Sequence, residues 1–263
     1  MNGLFTTWGT NLVSSAYTFW GLSPGAILDN IEKSVAMMTH INDKLGNGSI
    51  SVYGVMKSLA LGVLVIFFLI ELISKSISVH KMTFEMVVMM LIKLVLAKIM
   101  VDNCQQLLQG IEGLGQTYMT NVKLALGTIP DDVLETGQQG FMQLILGIVL
   151  FFTLAGTTIS IYTVIYGRAI EIVLLQLISP IAIVSFGSDQ FKGTGKKFLQ
   201  DVASIALQLP IMIIIVVVVG FATSWGMAAA AGVNPFVATF VMKAILVSLF
   251  TKSRSMATKI TGG

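Results

Sequence analysis

The sequence predicts an all-α, polytopic integral membrane protein with about five transmembrane helices and an amphipathic helix ahead of them. Three observations carry this. Of the 263 residues, 55% are hydrophobic and only 11% charged, against roughly 25% charged in a soluble domain. Such a chain lacks the polar side chains to cover itself in water. No residue between Glu135 and Arg168 is charged at neutral pH, and several apolar segments reach the ~20 residues that a spanning helix needs.

Residues 1–50 read as an N-terminal amphipathic, interfacial segment. Met1 to Trp20 lack the basic start, compact apolar core and cleavage site of a signal peptide, so insertion is expected to rely on the internal apolar segments. Phe5, Trp8, Tyr17, Phe19 and Trp20 suit an interfacial position. Ser23-Pro24-Gly25 starts a helix, and Ile27, Leu28, Ile31, Val35, Met38, Ile41 and Leu45 recur along it at helical spacing. Asp29, Glu32, Lys33, Asn42 and Asp43 lie opposite, and Gly46-Asn47-Gly48 ends it. This stripe is expected to lie in the membrane interface or to pack on a neighbouring subunit.

Residues 51–101 hold the first two transmembrane helices. The first runs from about Tyr53 to Ile73 and ends in Glu71 and Lys75, spaced to pair across one turn. The second, about Met82 to Val101, carries Glu85, Lys93 and Lys98. Lys93 falls near mid-depth, where an unpaired ammonium is costly, so it should face protein or water or else snorkel. Lys93 and Lys98 are candidates for a polar path or a subunit contact.

Residues 102–140 read as a central exposed loop. Asp102, Glu112, Asp131, Asp132 and Glu135 stand there against Lys123 alone. Gln105, Leu107, Leu108, Ile111 and Leu114 suggest a helix leading into a glycine-rich stretch, and Thr128-Ile129-Pro130-Asp131-Asp132 a turn. Long loops are usually functional, which makes this region a contact candidate.

Residues 141–263 form the C-terminal transmembrane region. Phe141 to Tyr166 and Val202 to Met227 are spans, and Pro235 to Phe250, holding Lys243, is the last. Between them Ala169 to Phe186 is apolar, with Ser179-Pro180 as a candidate helix break. Gly193, Gly195 and the basic residues Lys192, Lys196 and Lys197 read as a cytoplasmic basic loop, and Lys252, Arg254 and Lys259 as a basic tail. Arg168 and Glu171 share a helical face. They read as an interfacial ion pair or, more sharply, as part of a polar path or subunit contact.

If Ala169–Phe186 does not cross, five spans put the N-terminus and 102–140 outside and the basic residues inside, as the positive-inside rule asks. If it crosses, six spans with the N-terminus inside satisfy the count about as well.

Tyr162-Thr163-Val164-Ile165-Tyr166-Gly167-Arg168-Ala169-Ile170-Glu171-Ile172, the Ser179-Pro180 pair, Gly193-Thr194-Gly195-Lys196-Lys197-Phe198-Leu199-Gln200-Asp201 and the helix with Gln208 together resemble the TrbL family. These are the polytopic membrane subunits of conjugative type IV secretion machines, in the broad group of the sixth VirB component and here in a short Gram-positive-like form. The resemblance covers roughly the C-terminal half; the N-terminal half agrees in layout. It implies a multi-pass protein of the cytoplasmic membrane with an outside N-terminus and an inside C-terminus. It also implies a homo-oligomeric channel or scaffold, other secretion subunits including cytoplasmic ATPases as partners alongside membrane lipid, and at most indirect contact with DNA.

Other chemistry is thinly represented. Cys104 is the only cysteine and His40 and His80 the only histidines, which argues against a transition-metal site. The Gly193–Lys197 stretch lacks the spacing of a phosphate-binding loop, and no nucleophile–base set is visible. No catalytic residue, cofactor or metal is expected, and the chain is not expected to be an enzyme. An autonomous small-solute transporter or ion channel would show repeat symmetry, and holin-like proteins lack so long a central region.

Overall fold

The computed structural model describes residues 7–9, 11–12, 14–15, 23–47, 51–78, 84–126, 141–188, 191–229 and 235–262. Among these the chain is almost entirely helical, with no strand. The principal helices are α1 (Pro24–Asn47), α2 (Val52–Ser78), α3 (Phe84–Leu126), α4 (Phe141–Val184), α5 (Lys192–Ala229) and α6 (Pro235–Thr261). A single 3₁₀ turn, Ser185–Gly187, follows α4. Among the described residues three stretches are long and apolar enough to cross a membrane: Val52–Ile77, Gly147–Gly187 and Lys192–Thr223. In α3 the charges of Glu85, Lys93, Lys98 and Asp102 interrupt the apolar run.

Local chemistry explains the helix starts. Ser23 Oγ accepts the amide N–H of Ala26 at 3.1 Å, an N-cap with Pro24 in the first helical position. Ser51 Oγ does the same for Gly54 at 2.9 Å. The apolar stripe of α1 is covered by the chain itself: Ile27, Ile31 and Met38 are at most 3% exposed. The expectation that this stripe lies open to the interface or to another subunit is thereby corrected.

Two further expectations change. The region from 102 to 126 is not loop but the continuation of α3, which extends 43 residues, about 65 Å at 1.5 Å per residue. The rest of that region, including the Thr128–Asp132 turn, lies outside the described residues, as do His80 and Lys81. Lys192, Lys196 and Lys197 belong to the first two turns of α5 rather than to a loop. Contact with the preceding turn decides this despite two helix-weakening glycines: a Cβ on Gly195 would meet Ser185 Oγ at 2.6 Å and the Phe186 ring at 2.7 Å.

The helix is not broken at Ser179-Pro180 either. α4 runs through Pro180 to Val184, and the chain leaves the helix only at the 3₁₀ turn. Proline removes the N–H that would bond the carbonyl four residues back. That carbonyl belongs to Gln176, and Ser179 Oγ donates to it at 2.6 Å, supplying the missing donor. α4 is likewise unbroken at Gly167-Arg168.

The packing divides into two compact units, the first from Met1–Ser34, Tyr118–Arg168 and Gln208–Ser255, the second from Val35–Thr117, Ala169–Leu207 and Met256–Gly263. In the first, α1, α4, α5 and α6 bury Ile27, Ile31, Leu150, Ile161, Ile213 and Phe250. In the second, α2 and α3 are antiparallel, with Ala60 and Leu64 of α2, Ala97, Val101 and Cys104 of α3 and Ile183 and Val184 of α4 in one core.

Candidate functional site

Polar side chains sealed inside an apolar fold are costly unless they are partnered, so they mark where the molecule does something besides pack. The first unit holds such a set on three helices. Arg168 of α4 and Gln208 of α5 are each 4% exposed, and Ser253 of α6 is 0% exposed. Arg168 Nη1 donates to Gln208 Oε1 at 2.6 Å, and Gln208 Nε2 donates to Ser253 Oγ at 2.9 Å. Ser253 Oγ in turn donates to the carbonyl of Phe250 at 2.6 Å. Glutamine suits the middle position because it offers an acceptor to a guanidinium, which only donates, and a donor to the hydroxyl.

Nearby on α4, Tyr162 and Tyr166 stand edge to face, with ring centroids 6.3 Å apart. Asn30 of α1 donates to the Tyr162 hydroxyl at 3.1 Å and accepts from Tyr166 at 3.4 Å. A polar seam thus joins α1 to α4 and α4 to α5 and α6. A small hollow of about 20 Å³ in the same unit is bordered by Ile27, Val216, Val219 and Leu246, with Lys243 at its edge. That volume is below the usual range of ligand pockets.

In the second unit Glu71 is 5% exposed. Its Oε1 lies 3.2 Å from Lys75 Nζ, one turn on, and 3.7 Å from Lys93 Nζ of α3. The Glu71–Lys75 spacing therefore yields an ion pair, and the costly mid-helix charge of Lys93 has a counter-charge. Lys57 and Asp102 pair at 2.9 Å nearer the start of α2. The Lys57 ammonium, by hydrogen bond first, holds the Asp102 carboxyl below the usual carboxylate range, and Lys98 adds positive charge to the same effect. Cys104 Sγ donates to Ser179 Oγ at 2.9 Å, so the hydroxyl that repairs the proline gap also ties α3 to α4.

The four charges expected to form a polar path are distributed between the units. Arg168 belongs to the first; Lys93, Lys98 and Glu171 belong to the second. Arg168 is buried, Glu171 half-buried and Lys98 exposed. Sequence reasoning missed the roles of Gln208 and Ser253. A glutamine inside the apolar run of α5 is a detectable signal; a serine inside the basic tail is not. Among the described residues no cluster of three or more His, Cys, Asp or Glu could hold a metal ion. No protein-family model, curated protein or solved structure matches the chain.

Proposed function

We propose that this chain is a channel or scaffold subunit of a conjugative type IV secretion apparatus, acting as a homo-oligomeric ring in the cytoplasmic membrane. One observation carries the reading. Within the stretch that resembles the TrbL family, Phe141 to about Gly220, the residues that carry the resemblance also supply Arg168, Ser179 and Gln208 to buried polar contacts and Tyr162 and Tyr166 to half-buried ones. In this reading about five helices cross, with the N-terminus outside and the C-terminus inside. The basic tail, with Lys252, Arg254 and Lys259, meets cytoplasmic ATPases, which supply the energy. Lys93, Lys98, Arg168 and Glu171 serve contacts between helices or subunits.

Purification in mild detergent tests the proposal. The expected result is a homo-oligomer that co-purifies with secretion ATPases. A monomer that carries a small solute into liposomes overturns it in favour of an autonomous transporter. For the topology, single cysteines at Thr128 and Lys259 should react with impermeant reagents from opposite sides; reaction from one side refutes the five-span arrangement.

A further inference from the structure

The turn between α4 and α5 sits against the middle of a membrane-length helix. The apolar stretch Val52–Ile77 of α2 is 26 residues long, about 39 Å at 1.5 Å per residue, with its midpoint between Leu64 and Val65. Gly187 lies so close to this level that a Cβ on it would stand 2.7 Å from Leu64 Cδ1 and 3.3 Å from Ala97 Cβ. Phe191 stacks on Phe67 with ring centroids 4.6 Å apart and planes 14° apart. α5 starts from that level and turns back along α4, with Gly195 pressed against Ser185 and Phe186. Its first two turns present Lys192, Lys196 and Lys197, all exposed.

At the same level the outer faces of the neighbouring helices are apolar. Val65, Ile66 and Leu69 of α2 are 50–54% exposed, and Val95, Leu96 and Ile99 of α3 are 50–55% exposed. One depth of the second unit therefore carries two chemistries. Hydrocarbon suits the α2 and α3 faces, but it does not suit three lysines within six residues. A lysine at the centre of a spanning helix costs about 2.5–3.5 kcal/mol even on the most lenient scale. From mid-depth the headgroups are about 15 Å away, half the hydrocarbon thickness, and a four-carbon stem does not reach them.

We infer that the second unit is two-faced within the membrane: α2 and α3 meet lipid, while the first turns of α5 line a water-filled cavity. With Lys192, Lys196 and Lys197 on its wall, that cavity favours anionic solutes over cationic ones. The inference rests on α2 crossing the bilayer, which is part of the proposed function, and is independent of the secretion role.

The test uses the full chain in liposomes with single cysteines Lys192→Cys, Lys196→Cys, Ile66→Cys and Leu69→Cys. Water-soluble anionic and cationic thiosulfonates are compared, and a fluorophore at each position is exposed to lipids brominated at mid-chain. At Lys192→Cys and Lys196→Cys the expected result is rapid modification, several-fold faster with the anionic reagent, and no quenching by the brominated chains. Ile66→Cys and Leu69→Cys should resist both reagents and be quenched. Quenching at Lys196→Cys by mid-chain bromine, or by headgroup-labelled lipid, overturns the inference, as does modification of Ile66→Cys at the same rate. If the predicted pattern appears in a protein that is monomeric and without secretion partners, the secretion reading falls and the water-lined face stands.

Discussion

Replacing Gln208 by leucine should destabilise the first unit without leaving a cavity, because the two side chains are similar in size and only the polar relay is removed. Gln208 accepts from the Arg168 guanidinium and donates to Ser253 with all three residues buried. A hydrogen bond to a charged group contributes about 1.5–3 kcal/mol and a neutral one about 0.5–1.5 kcal/mol, so the substitution should cost about 2–4 kcal/mol. For a chain of this size a kilocalorie moves the melting temperature by about 2–4 °C, which predicts a fall of roughly 5–15 °C. The assay is thermal loss of helicity in mild detergent, read by circular dichroism. A double-mutant cycle sharpens it: Ser253→Ala should cost about 1 kcal/mol alone and nearly nothing once Gln208→Leu is present. A shift below about 2 °C, or strict additivity of the two substitutions, refutes the relay.

Three other outcomes follow from the geometry. Ser179→Ala removes the hydroxyl that stands in for the missing proline N–H and should cost about 1–2 kcal/mol; adding Pro180→Ala, which restores the backbone donor, should recover much of the loss in the same melting assay. Gly195→Ala brings a methyl group to within 2.6–2.8 Å of Ser185 and Phe186, and such overpacking should cost about 1–3 kcal/mol, seen as a lower melting temperature and faster amide exchange at the start of α5. Asp102→Asn breaks the pair with Lys57, whose side chains are 33% and 38% exposed, so it should cost less than about 1 kcal/mol and be weakened by salt. Because Lys57 lowers the Asp102 pKa, the contribution of that pair is present above the ordinary carboxylate range and fades as pH falls through the lowered value; titration of the wild type against Asp102→Asn checks the sign.

Local signals in the sequence carry some elements and not others. α1 begins where Ser23-Pro24 says it should and ends within Gly46-Asn47, because capping and proline placement act over three or four residues. The Glu71–Lys75 pair is visible for the same reason. Its third member, Lys93, is not, since it reaches Glu71 across 22 positions of chain. The glycines at 110 and 113 suggest a loop, yet α3 passes through both; helical bonding within so long a helix outweighs the propensity of two residues. Gly193 and Gly195 mislead in a different way: Gly195 serves close packing against the preceding turn. Arg168 and Gln208 are 40 residues apart, and nothing in their spacing announces a hydrogen bond.

Cys104 has a practical consequence. It is the only thiol in the chain, it is fully buried, and it is held by Ser179. In the folded protein it should ignore aqueous reagents, so a cysteine introduced elsewhere reports by itself without any need to strip the native one. When the core opens, Cys104 becomes reactive and a second label appears. Each labelling experiment on this protein thus contains its own internal control: an unlabelled Cys104 certifies that the fold being mapped is intact, and a labelled one that it is not.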